Sequence, residues 1–159
     1  SNANLITFRT LVHEPPSSRT RLEDGFKDLY SHSKIPLCQI MEFVIDMASA
    51  QLVRSRRVAP RANLCELPDC NTRWGYAKRY IWTNTRTETA GFTNSLQKVD
   101  LVTEECSPVI SFGDAVFAGN PIFVPKPNAT QEDGGYILSQ LYRSDDHQSD
   151  IVILDAATM

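Results

Sequence analysis

The chain has 159 residues and a net charge of −3, from 16 Lys and Arg against 19 Asp and Glu. That length predicts about one domain, and 42% hydrophobic with 22% charged residues excludes a disordered chain. The mild acidity argues against a dedicated nucleic-acid binder, and no apolar run reaches the ~18–20 residues that cross a bilayer.

Ser1-Asn2-Ala3 reads as an expression-tag scar over residues 1–3. Residues 4–36 read as a loop and short-helix insertion. Pro15-Pro16-Ser17-Ser18 is its loop, and Leu22 to Tyr30 places Asp24, Phe26, Leu29 and Tyr30 at partly helical spacing. No basic segment followed by an apolar core opens the sequence, so the expected location is cytoplasmic. Cys38, Cys65, Cys70 and Cys106 form no C-x-x-C pair and no zinc pattern, and read as reduced thiols.

From about residue 37 the chain repeats itself. Phe43-Val44-Ile45-Asp46-Met47-Ala48-Ser49, Gln97-Lys98-Val99-Asp100-Leu101-Val102-Thr103 and Val152-Ile153-Leu154-Asp155-Ala156-Ala157-Thr158 share one pattern, with the aspartates 54 and 55 residues apart. A β-prone run pairs into a sheet. The Asp then caps a tight turn by bonding the backbone two residues on, and the chain returns antiparallel. A second register agrees: Leu64 to Asn71 aligns with Pro121 to Asn128, with Pro68 and Pro125 57 residues apart. Each is followed by a further strand, Arg79-Tyr80-Ile81-Trp82 in one copy and Tyr136 to Tyr142 in the other. Polar connectors follow, at Thr83 to Asn94 and at Arg143 to Asp150.

Four short antiparallel strands in roughly 40–55 residues is the size of a β-propeller blade. Pro60, Pro68, Pro108, Pro121, Pro125 and Pro127 exclude long helices over this region. The expected fold is therefore all-β. Residues 37–159 form two to three four-stranded antiparallel blades of a β-propeller, as units at about 37–61, 62–115 and 119–159. So few blades leave sheet edges and faces bare. The chain is thus expected to be a piece of a larger propeller, or to self-associate through its edges.

The 3 histidines, His13, His32 and His147, read as loop or hairpin-tip residues. Arg54-Ser55-Arg56-Arg57 with Arg61 reads as a solvated strand end, since no aromatics interleave for base stacking. Glu132-Asp133, flanked by Gly134-Gly135, reads as a turn and not as a catalytic carboxylate pair. Trp74, Tyr80, Trp82 and Phe123 read as blade packing, with the lining of a tunnel for an elongated apolar substrate as the functional alternative. No G-x-S-x-G, G-x-G-x-x-G or Walker motif occurs.

Gly119-Asn120-Pro121-Ile122-Phe123-Val124-Pro125-Lys126-Pro127-Asn128-Ala129, then Glu132-Asp133-Gly134-Gly135-Tyr136-Ile137-Leu138, resembles the late-blade motif of the carotenoid cleavage oxygenases. That family includes retinal pigment epithelium membrane protein and the lignostilbene dioxygenases. Its pattern there is close to (G/S)-E-P-x-F-V-P-(R/H)-P-x-A followed by E-D-D-G. Ile151 to Ala156 is similar to its S-x-L-x-I-L-D-A strand, and Glu66-Leu67-Pro68 with Arg79 to Trp82 is similar to segments upstream. The resemblance covers about residues 39–159.

What the resemblance implies is a seven-bladed propeller holding one non-haem Fe(II) through four histidines, three of them oriented by glutamates. The implied enzyme is a dioxygenase, an oxidoreductase inserting O₂ across a C=C bond of a carotenoid, apocarotenoid or stilbene. Neutral imidazoles suit ferrous iron, and carboxylates behind them fix their orientation. The family's H-x-x-N-A-(F/Y)-E and F-H-G motifs do not occur here, so no catalytic residue and no metal ligand is assigned to this chain. Asn120 stands where the family has a Glu behind an iron ligand. Asp69 stands where it has Arg. The expectation is thus a fragment, itself inactive, of an Fe(II)-dependent dioxygenase with an apolar conjugated substrate. The alternative is a non-catalytic β-propeller-like interaction module or degenerate relative.

Overall fold

The structure, a computed structural model, describes residues 4–13, 38–62, 66–75, 77–87 and 92–159. Every strand pairing among them is antiparallel. The first sheet has the order β1-β2-β3, from β1 (Leu5–His13), β2 (Cys38–Asp46) and β3 (Gln51–Val58). The second runs β4-β5-β6-β7, from β4 (Glu66–Asp69), β5 (Tyr80–Thr85), β6 (Ser95–Asp100) and β7 (Ile110–Ser111). The third contains β8 (Val116–Ala118), β9 (Ile122–Pro125), β10 (Gly135–Arg143) and β11 (Gln148–Asp155). There β8 and β9 share one edge of β10, and β11 takes the other. No α-helix occurs among the described residues, and none of their helices is long and apolar enough to cross a membrane.

The repeat is visible as pairing. Asp46 lies opposite Leu5, Asp100 opposite Tyr80, and Asp155 opposite Tyr136, each at the start of the preceding strand. Each Asp then caps the turn that follows. The Oδ1 of Asp46 accepts the Ala48 N–H at 2.8 Å, that of Asp100 the Val102 N–H at 2.8 Å, and that of Asp155 the Ala157 N–H at 2.9 Å. β4 and β9 occupy equivalent places, each beside the strand that follows it. In this frame the first sheet holds the last three strand positions of the repeat, the second all four, and the third the first three.

Two seams hold the sheets together. Ile40, Val58 and Ala59 of the first sheet region meet Val99 and Leu101 of the second. Trp82 and Leu96 of the second meet Phe123, Ile137 and Ala156 of the third. The second sheet is thus covered on both faces. Its strands β5 and β6 are buried nearly without alternation, whereas β2 buries every other residue. A strand covered on one face alternates; one covered on both does not.

Two expectations change. Residues 5–13, within the stretch read as loop or short helix over 4–36, form a strand paired along its whole length with β2. Leu5, Thr7, Arg9 and Leu11 alternate with Ile6, Phe8, Thr10 and Val12 in a β-branched and aromatic run, which suits a strand. The helix read at Leu22 to Tyr30 lies outside the described residues. The polar connector read from Thr83 begins later, because β5 continues through Thr85.

Candidate functional site

The edge formed by the first strand of each repeat is where Asn120 lies. β9 pairs with residues 135–138 of β10 and β8 with residues 141–143, so the first strand of the third sheet is broken between them at Gly119-Asn120-Pro121. Pro121 has no N–H to donate to a ladder. Gly119 donates its N–H to the Gln140 carbonyl at 2.7 Å, and Ser139 Oγ donates to the Gly119 carbonyl at 2.9 Å. A Cβ on Gly119 would sit 3.1 Å from the Gln140 carbonyl oxygen, so the strands approach closely there. Asn120, at the break, is exposed.

Polar groups stitch this edge to the second sheet. Asp69 Oδ2 accepts the Phe123 N–H at 2.7 Å, joining β4 to β9. The Ala118 carbonyl accepts from Asn84 Nδ2 at 3.3 Å and from Thr93 Oγ1 at 3.0 Å. Glu132, buried in a turn, accepts the N–H groups of Arg79 and Tyr80, while Asn71 Nδ2 donates to its carbonyl at 2.8 Å. Lys98, also buried, donates to Asp133 Oδ2 at 2.6 Å and to the Ala157 carbonyl at 3.2 Å. Its Nζ lies 4.3 Å from the Tyr80 ring centroid, so the ammonium is held by a carboxylate, a carbonyl and an aromatic face.

The tunnel-lining candidates separate. Trp82 is fully buried and stacks on Phe123, with centroids 4.7 Å apart and planes 22° from parallel. These two build the seam: with no exposed surface on Trp82, only protein lies against it. Tyr80 is half-buried under the Arg79 and Lys98 cations, and burial pushes its hydroxyl pKa up. Trp74 is 42% exposed on a 3₁₀ turn (Thr72–Trp74) in which Asn71 Oδ1 accepts the Arg73 N–H at 3.1 Å. The structure does not bring Trp74 together with the other three.

Other charged groups are engaged in the fold. Glu42, 3% exposed, takes Arg54 and Arg56 on one oxygen and Arg9 on the other. Burial alone would raise its pKa, but Arg56 and Arg9 outweigh that and hold it below the ordinary carboxylate value. Arg56 continues to Glu104 of the second sheet's turn. Burial pushes up the thiols of Cys70 and Cys106. His147 is exposed at the β10–β11 tip, its Nδ1 2.8 Å from Tyr142 Oη. His32, Cys65 and Tyr76 lie outside the described residues.

Among the described residues no three His, Cys, Asp or Glu side chains gather where they could hold a metal ion. What sequence reasoning missed is Asp69, Lys98, Glu132 and Asp133 as cross-seam anchors. Glu132 and Asp133 do lie in a turn, as read, but their side chains reach into the next sheet. A turn signal gives the backbone path and not the partner.

The retinal pigment epithelial membrane protein family model matches residues 4–159. Apocarotenoid-15,15'-oxygenase of Synechocystis sp. is 35% identical over 121 residues, 74% of this chain and 24% of that protein. Carotenoid cleavage dioxygenase 8 of Arabidopsis thaliana is 23% identical over 141 residues, 85% of this chain and 24% of that protein. Cobalt-substituted Synechocystis apocarotenoid oxygenase superposes with a TM-score of 0.76 at 27% identity, over 99% of this chain and 32% of that one. The chain thus spans about a quarter of the length of the curated relatives it matches.

Proposed function

The chain belongs to the carotenoid cleavage oxygenase family, and on that premise we propose that it supplies three adjacent propeller sheets of an enzyme that oxidatively cleaves a C=C bond. The substrate in this reading is an extended apolar polyene or stilbene. What carries the reading is the extent of the structural match, which takes in 99% of the chain.

The resemblance implies ferrous iron held by four histidines, and the described residues do not fit that group. Among the described residues three donors of the right kind do not converge, and His147 is turned to a tyrosine at a hairpin tip. In this reading the ion is held by residues outside this chain, and the chain alone is inactive. Its own contribution is a rigid, dry scaffold behind the site. Trp82 and Phe123 fill the seam, Glu132 and Lys98 fix its register, and the break at Gly119-Asn120-Pro121 releases Asn120 from the ladder. Asn120 can accept one hydrogen bond through Oδ1 but brings no negative charge. It would orient an imidazole without making it more basic.

That missing charge favours a second reading, a non-catalytic relative with the same sheets. One experiment separates the two. The longest natural polypeptide containing this segment is incubated aerobically with an apocarotenal, its iron content is measured, and aldehyde products are followed by chromatography. Stoichiometric iron and two carbonyl products support the enzyme; a folded, iron-free, inert protein supports the non-catalytic relative.

A further inference from the structure

The break at Gly119-Asn120-Pro121 is a β-bulge. Ala118 lies opposite Leu141 and Ile122 opposite Leu138, so residues 119–121 face only Ser139 and Gln140 of β10. Gly119 still bonds the Gln140 carbonyl, which leaves Asn120 and Pro121 to share Ser139. Counting alternation forward from buried Ala118 puts residue 120 on the buried face. Counting back from exposed Ile122 puts it on the open face. Neither flank therefore dictates the direction of Asn120, and a bulge is the device by which a strand re-aims one side chain.

The second sheet bulges at the matching place. Glu66 lies opposite Asn84 and Asp69 opposite Trp82, so residues 67–68 share Thr83. The pairs Tyr80 with Asp100 and Tyr136 with Asp155 are equivalent, which makes Thr83 the counterpart of Ser139. In both sheets a proline sits in the bulge and a buried hydroxyl residue stands opposite it.

Side chains hold the backbone around Asn120 where the ladder is interrupted. The Ala118 carbonyl accepts from Asn84 and Thr93. The Gly119 carbonyl accepts the Ser139 hydroxyl at 2.9 Å, and the Phe123 N–H donates to Asp69 Oδ2 at 2.7 Å. Asn84 and Ser139 are buried, whereas Asn120 is exposed. Holding the backbone on both sides of an exposed side chain adds little to the packing of the seam. It is what a binding or reacting group requires of its support.

We propose that Ser139 and Asp69 are positioning residues: one on each side of the bulge, they give residue 120 a single orientation toward the reaction site. The proposal rests on the catalytic reading above and extends it to groups that touch neither substrate nor cofactor.

The test uses a chimera in which residues 4–159 replace the matching stretch of Synechocystis apocarotenoid-15,15'-oxygenase. Its crystal structure should show one conformer of Asn120. Ser139→Ala and Asp69→Ala should each shift or split that conformer and leave β10 and β11 in place. Ser139→Thr, which copies Thr83, and Asp69→Asn, which keeps an acceptor oxygen, should restore it. In apocarotenal cleavage, Ser139→Ala should lower kcat about tenfold with KM unchanged. It should cost nothing further in a chimera already carrying Asn120→Ala, because it acts through residue 120. Asn120 unmoved in both alanine variants would overturn the proposal, as would an equal loss of kcat with and without the Asn120 side chain. A folded chimera inert throughout would instead sink the catalytic reading, and the conformer of Asn120 would still decide whether Ser139 and Asp69 hold it.

Discussion

Glu132 and Tyr80 are joined across the seam between the second and third sheets. One carboxylate oxygen of Glu132 accepts the Tyr80 N–H at 3.0 Å and the Arg79 N–H at 2.8 Å. These donors stand at the entry to β5, so a side chain of one repeat completes the backbone bonding of the one before it. Glu132→Ala leaves both without this acceptor in a partly buried place, and a loss of about 1–3 kcal/mol is expected. Glu132→Gln keeps an acceptor and should lose less. Urea unfolding of the three proteins checks the order; equal stability would remove Glu132 from the seam.

Lys98 and Asp133 make the second cross-seam bond. Removing one partner of a buried pair leaves the other charged and unsatisfied. Lys98→Met is therefore expected to cost toward the low end of about 3–5 kcal/mol, and Asp133→Asn a similar amount. The double variant should cost less than the two losses added together, because neither charge is then stranded. Additive losses in the double-mutant cycle would show that the pair does not couple.

Gly135 faces the Phe123 ring so closely that a Cβ there would lie 2.4 Å from Cζ and 2.6 Å from the Val124 carbonyl oxygen. Gly135→Ala should displace the ring from its stack on Trp82, at about 1–3 kcal/mol. The near-ultraviolet dichroism of Trp82 should change with it. An unaltered spectrum and unaltered stability would contradict the packing described for this seam.

Asp100 gives the fold an acid-sensitive contact. Burial alone would raise its pKa, but Arg79 and the N–H groups of Val102 and Thr103 outweigh it and bring the carboxyl from 3.8 to about 2. A pKa lowered on folding contributes stability that is full above about pH 3.8 and is lost as the pH falls toward 2. With Arg79 partly in solvent, the contribution at neutral pH is on the order of 1–2 kcal/mol. Asp100→Asn should lower stability at pH 6 and converge on wild type near pH 2. A constant difference across that range would remove the ionised carboxylate as the cause.

The Asp turns were legible in the sequence because one side chain makes the local bond that defines them, whatever surrounds it. The equivalence of β4 and β9 was legible because prolines at fixed spacing mark it. β1 was not, since it precedes the first Asp turn and is separated from β2 by residues 14–37, where the other repeats have short connectors. The polar run Thr83-Asn84-Thr85 concealed the end of β5. Those residues are buried because a sheet lies on each side, which no local pattern reports. For the same reason an aromatic pair in the seam, Trp82 on Phe123, has the same spelling as a pair lining a tunnel. The site residues implied by the resemblance could be placed only as far as the chain reaches, which for the candidate site is Asn120 alone.

The most direct test transplants this segment. Residues 4–159 replace the matching stretch of Synechocystis apocarotenoid-15,15'-oxygenase, and cleavage of an apocarotenal is measured with and without Asn120→Glu. The account predicts a folded, iron-loaded chimera that cleaves, more slowly with Asn120 and faster with Glu. A folded, iron-loaded chimera inert with either residue would contradict it.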